Sequence, residues 1–100
     1  MELVLTNGKV IEILRYEERA QGTEANGVRY SITFLENSGL NVKSLQIALT
    51  DDQLVDAKII NNAQTIVLPE VKLESIYYSV YSTGEELVAT LAPALITIED

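Results

Sequence analysis

Hydrophobic and polar positions alternate most cleanly near the middle of the chain, where Val28, Tyr30, Ile32 and Phe34 are separated by Arg29, Ser31 and Thr33. A period of two puts neighbouring side chains on opposite faces, so residues 28–34 predict a strand with one buried and one solvated face. Earlier, two apolar runs flank Asn7-Gly8. Asn-Gly between such runs is a strong hairpin signal, because both residues tolerate positive φ. Strands are expected at 2–6 and 9–18. The polar stretch 19–26 reads as a loop ending in a second Asn-Gly, Asn26-Gly27, and the cluster 36–39 reads as a turn.

The stretch 41–50 fits two periods. Val42, Leu45, Ala48 and Leu49 make a helical face that Asn41 could cap, whereas Leu45, Ile47 and Leu49 alternate as a strand would. The spacing of Val42 and Leu45 favours a short helix. Thr50 and Gln53 have capping-box spacing for one further turn. Short strands are expected at 58–60 and 64–68 around a turn at Asn61-Asn62, with Pro69 ending the second or sitting on an edge.

Residues 71–81 are apolar on both faces, with Val71, Leu73, Tyr77 and Tyr81 on one and Ile76, Tyr78 and Val80 on the other. That pattern suits a strand buried on one side and partnered on the other. A turn at 82–85 returns the chain through a strand at 86–98, with Pro93 at an edge or bulge. Thr83 and Glu86 also have capping-box spacing, which leaves a helix over 85–92 as the competing reading. Gly84 and the β-branched neighbours favour the strand.

Together these elements predict a single domain over 1–100. It is mostly β, α+β by virtue of one short helix near 42–50. Six or seven mainly antiparallel strands would form a sandwich or a partly open barrel. At 47% hydrophobic and 22% charged the chain is globular in composition.

Charge and residue types narrow the chemistry. Fifteen acidic and seven basic residues give a net charge of −8. The basic residues, Lys9, Arg15, Arg19, Arg29, Lys43, Lys58 and Lys72, form no run, so neither nucleic acid nor an anionic membrane is an expected partner. The chain opens Met1-Glu2 without a basic n-region or a long apolar run, so no signal peptide is expected. The apolar stretch 87–98 is too short to span a bilayer. The bacterial cytoplasm or a virion is the expected location.

There is no Cys and no His. Thiol nucleophiles, imidazole bases and the commonest transition-metal ligands are therefore missing. Lys43-Ser44 are sequence neighbours, which is not a nucleophile–base geometry. The five glycines are isolated and form no phosphate cradle. Glu17-Glu18 and Glu85-Glu86 would point to opposite faces of a strand, so neither pair can flank one substrate. Asp51, Asp52 and Asp56 are the tightest acidic group. They lack the alternating spacing and bend glycine of a calcium loop, and cation binding there stays open. No catalytic residue, cofactor or metal is assigned, a small-molecule ligand is not expected, and the chain reads as a non-enzyme.

Five of the six aromatics are tyrosines, three of them at 77, 78 and 81. Tyrosine joins apolar area to a hydroxyl and is enriched at interfaces. Tyr77, Tyr78, Tyr81, Val80 and Leu91, on the closing hairpin, are the expected contact residues for a second copy or another protein.

Three stretches carry a resemblance: Leu5-Thr6-Asn7-Gly8-Lys9-Val10, residues 43–60 with their Ser-Leu core and Asp-Asp turn, and the closing hairpin 76–98. Their order resembles small tail- or baseplate-associated structural proteins of bacteriophages and prophages of Gram-positive bacteria. The resemblance implies a non-enzymatic assembly protein that self-associates or docks on other virion proteins. A small β-barrel that holds a ligand against its tyrosines is the alternative.

Overall fold

The computed structural model describes residues 1–20, 27–35, 40–81 and 84–93, with the side chains of 80, 81, 84 and 85 outside that description. The elements in order are β1 (Glu2–Val4), β2 (Val10–Ala20), β3 (Val28–Phe34), α1 (Val42–Ala48), α2 (Asp51–Leu54), β4 (Lys58–Asn61), β5 (Gln64–Val67), β6 (Val71–Tyr81) and β7 (Gly84–Pro93). All strand pairs are antiparallel. The strands form one seven-stranded sheet in the order β5-β4-β1-β2-β3-β7-β6.

The long strand β2 belongs to two lobes of this sheet. Its first residues pair with β1, at Glu2 opposite Glu12 and Val4 opposite Val10. From Ile13 onward it pairs with β3, with a register shift at Leu14, between Ile13 and Arg15. Such a bulge bends a strand and raises its twist. The first lobe is β5-β4-β1 with the start of β2. The second is the rest of β2 with β3, β7 and β6.

The two edge strands, β5 and β6, are consecutive in the chain. Only residues 68–70 join them. Seven flat strands would set the edges roughly 29 Å apart. Four virtual bonds from Val67 to Val71 reach at most about 15 Å. The sheet must therefore bend back on itself until its edges approach at that end, in one open, curled sheet. Among the described residues the two edges are not hydrogen-bonded to each other. Both short helices pack on β6.

The core lies inside the curl. Leu3, Ile11, Ile32, Phe34, Ile59, Val71, Ala89 and Leu91 come from the strands, and Leu45, Leu49 and Leu54 from the helical segment. In the first lobe Ile11, Leu3 and Ile59 lie in one cross-strand row. In the second, Ile32 faces Ala89 and Phe34 faces Leu87.

Several local expectations change. The Asn7-Gly8 turn is longer than a two-residue loop. Leu5 N–H donates to the Lys9 carbonyl and Gly8 N–H to the Leu5 carbonyl, and of the turn residues only Gly8 has positive φ, at 87°. This is the pattern of a type I turn closed by a glycine bulge. Contacts with the helical segment fix it. Thr6 N–H donates to the Gln53 carbonyl, Asn7 N–H to Gln53 Oε1, and the Thr6 hydroxyl to the Val55 carbonyl.

Residues 42–48 are helical, and Asn41 and Ser44 form a reciprocal capping box. The Thr50–Gln53 box does not form. Gln53 turns to Asn7 instead, and the Thr50 hydroxyl donates to Asp52 Oδ1 at 2.7 Å. α2 nevertheless adds a second short helix. Asn62 supplies the positive φ of the β4–β5 turn. Residues 84–93 are a strand, which decides against the helix over 85–92. Arg19 and Ala20, expected in the loop 19–26, extend β2, and Gly84 and Glu85, expected in the turn 82–85, begin β7, because each pairs across to its neighbouring strand. The rest of that loop and turn, the turn at 36–39 and the expected continuation to residue 98 fall outside the described residues.

Candidate interaction surface

β6 forms because Val, Ile and three Tyr residues suit a pleated, half-buried surface. Its register against β7 shifts between Leu73 and Ser75, leaving Glu74 as the extra residue. The bulge redistributes the faces expected from simple alternation. Leu73 pairs with Leu91, Ile76 with Ala89 and Tyr78 with Leu87, so these three point to the core side. Ser75 and Tyr77 pair with Thr90 and Val88 and point outward. Tyr77 is thus separated from Val71 and Leu73, with which a period of two had grouped it.

The expected contact residues divide accordingly. Tyr77 and Tyr78 are 46% and 50% exposed, on opposite faces of one edge strand. Tyr78 is half-exposed although its partner Leu87 is buried, because β6 is an edge strand. Val80 and Tyr81 continue the strand, paired with Glu85 and Gly84, but their side chains lie outside the described residues. Leu91 is a correction. It is fully buried, opposite Tyr30 and Leu73 in the middle of the core-side face, and no partner can reach it in the folded chain.

The outer face of the second lobe is laced by ion pairs. Arg15 meets Glu86 across β3, Glu17 lies between Arg15 and Arg19, and the Arg29 Nε lies 3.0 and 2.9 Å from the two oxygens of Glu74. Arg29 thereby holds the bulged carboxylate. Every pair has at least one partner that is 41% exposed or more, so each contributes about 1 kcal/mol or less. Their effect is to occupy the charges beside the edge.

Tyr16 and Tyr30 stand apart from the edge tyrosines. Their rings stack on the core-side face, centroids 6.5 Å apart and 7° from parallel. The Tyr16 hydroxyl donates to Glu18 Oε1 at 2.9 Å. Burial, then the hydrogen bond and the charge of that carboxylate, push the Tyr16 phenol well above its ordinary value.

A second apolar surface escapes the sequence reading. In the first lobe the row Val67, Lys58, Val4, Val10 crosses four strands on the side away from the core. Val67 and Val10 are 59% and 51% exposed, and exposed Leu14 and Leu35 extend the apolar area. An open concavity of about 410 Å³ lies beside it, lined by Lys9, Val10, Ile11, Glu12 and Leu40. The sequence signal was the consecutive apolar pairs Val10-Ile11, Ile59-Ile60 and Ile66-Val67, in which one member enters the core and the other cannot.

Asp51 and Asp52 sit in the first turn of α2, where carboxylates favour the positive end of the helix dipole. The Thr50 hydroxyl holds the Asp52 carboxyl below its ordinary value. Asp56 occupies a positive-φ position in the next turn. Among the described residues no group of three His, Cys, Asp or Glu side chains is placed to hold a metal ion. No helix among them is long and apolar enough to cross a membrane. Comparison of the chain with protein-family models, with curated proteins and with solved structures finds no match.

Proposed function

We propose that this chain is a non-enzymatic association protein, of the kind that builds phage or prophage tails, and that it docks through its β6–β7 hairpin. One observation carries the reading: an 11-residue strand forms an edge of the sheet, with half-exposed tyrosines on both of its faces. Unpaired strand edges offer a row of backbone donors and acceptors to another chain. Natural edges are commonly blunted by proline or lysine. Residues 75–81 contain neither. The apolar face around Val10 and Val67 gives a second surface, as a subunit with more than one neighbour needs. The net charge of −8 keeps free copies soluble before they assemble.

The test is co-expression with the proteins encoded beside this chain's gene. Wild type should co-purify with one of them or form an oligomer of fixed mass. The double variant Tyr77→Glu/Tyr78→Glu should lose that association while keeping its melting temperature within a few degrees. A wild-type chain that stays monomeric alone and beside every neighbour defeats the reading, and association unchanged in the double variant defeats the hairpin assignment. A ligand-binding module is the second reading, and the concavity beside Leu40 is what favours it. Strong stabilisation by a small molecule in a thermal-shift screen, with no dependence on protein concentration, decides for it.

A further inference from the structure

We infer that the occupant of the β6 edge is a second copy of this chain, paired antiparallel about a two-fold axis at Tyr78. The inference rests on the association reading above and adds the partner and the register.

The bulge at Glu74 divides β6 into two parts. Before it lies Lys72, and Glu74 itself is held by Arg29. After it, Ser75-Ile76-Tyr77-Tyr78-Ser79-Val80-Tyr81 carries no charge. Two chains of net charge −8 repel each other, and the repulsion is least where they can meet along an uncharged seam. These seven residues are the longest uncharged run on either edge strand, since β5 offers only four residues. Edge strands of this kind, neutral and without proline, are where backbone pairing between chains occurs.

The run is also self-complementary. With the axis at Tyr78, that residue stands opposite its own counterpart, Tyr77 stands opposite Ser79 of the second copy, Ile76 opposite Val80, and Ser75 opposite Tyr81. Among the described side chains the types are compatible, aromatic opposite aromatic at Tyr78 and tyrosine opposite hydroxyl at Tyr77 and Ser79. A two-fold interface requires this match of one surface with itself, whereas an unrelated partner does not. Tyr77 and Tyr78, half-exposed in the single chain, would each gain cover from the neighbouring strand. Two seven-stranded sheets would then join as one continuous sheet.

The chain has no cysteine, so a single introduced thiol reports the register without ambiguity. Opposed residues of an antiparallel pair lie about 4.5–5.5 Å apart at Cα, within the span of a disulfide. Under mild oxidation, Tyr78→Cys should give a covalent dimer. Ile76→Cys should not, because its counterpart lies about 13 Å further along the strand. Ile76→Cys combined with Val80→Cys should. Light scattering of the wild type should approach twice 11.0 kDa as concentration rises, and Ser75→Lys, which charges the seam, should shift it back to one chain. Equal cross-linking at every position, or cross-linking of Ile76→Cys alone in preference to Tyr78→Cys, overturns the register. A wild type that is monomeric at all concentrations, yet still binds another protein through the hairpin, overturns the second-copy assignment and leaves the association reading standing.

Discussion

Tyr16 binds its phenolic proton more tightly in the folded chain than in the unfolded one, because its ring is partly buried against Tyr30 and its hydroxyl faces the Glu18 carboxylate. The neutral form is the favoured one, so the folded pKa lies above the unfolded value near 10.0. By linkage the stabilisation is complete below about pH 10 and is lost as the pH rises above it, where the unfolded chain releases this proton and the folded chain keeps it. The midpoint of urea unfolding should therefore be flat on the neutral side of pH 10 and fall beyond it. Tyr16→Phe should lower the neutral plateau slightly, through the lost hydrogen bond, and flatten the alkaline fall. An alkaline slope identical in the variant would assign the effect elsewhere. Nothing in the sequence marked Tyr16 apart from the other tyrosines, since the bulge at Leu14 is what turns Tyr16, with Glu18 two residues on, to the face shared with Ile32 and Tyr30.

At the scale of elements, α1 shows what local chemistry can decide and where it stops. Its seven residues are too few to be helical by propensity alone. Asn41 accepts from the Ser44 N–H at 2.8 Å, and the Ser44 hydroxyl accepts from the Asn41 N–H at 2.9 Å. Asn41→Ala should cost about 1 kcal/mol in chemical denaturation. Thr50→Ala should cost less, because Thr50 makes no side-chain cap to α2. Equal costs would mean that packing of Leu45 and Leu49, and not the cap, selects the helix. The sequence placed this cap and the strands at 28–34 and 71–81 correctly, because each is written within a few consecutive residues. It missed the bulges at Leu14 and Glu74 and the turn geometry at Gly8. Those depend on partners such as Phe34, Leu91 and Gln53, which lie far away along the chain. The same blindness put Leu91 on the surface: being apolar beside an interface strand does not say which face of β7 it takes.

At the scale of the whole molecule, β2 makes the two lobes one cooperative unit. It pairs with β1 at one end and β3 at the other, and the core runs from Ile59 in the first lobe to Leu91 in the second without a break. Residues 68–70 tie the same lobes at their far edges. The tyrosines supply a convenient probe, because with no Trp all aromatic fluorescence apart from Phe34 comes from tyrosine, and every tyrosine lies on β2 beyond the bulge, on β3 or on β6. Tyrosine emission therefore reports the second lobe, whereas far-ultraviolet circular dichroism reports both. If the lobes share one core, urea unfolding followed by the two signals should coincide. Ile59→Ala removes a fully buried side chain from the first lobe and should lower stability by about 2–5 kcal/mol. The decisive point is that it should displace the tyrosine transition as far as the dichroism transition, although Ile59 lies outside the tyrosine-bearing lobe. If the dichroism signal alone moves, the lobes fold separately, the curl is held only by its covalent connections, and the edge strand β6 is presented by a smaller unit than the sheet order implies.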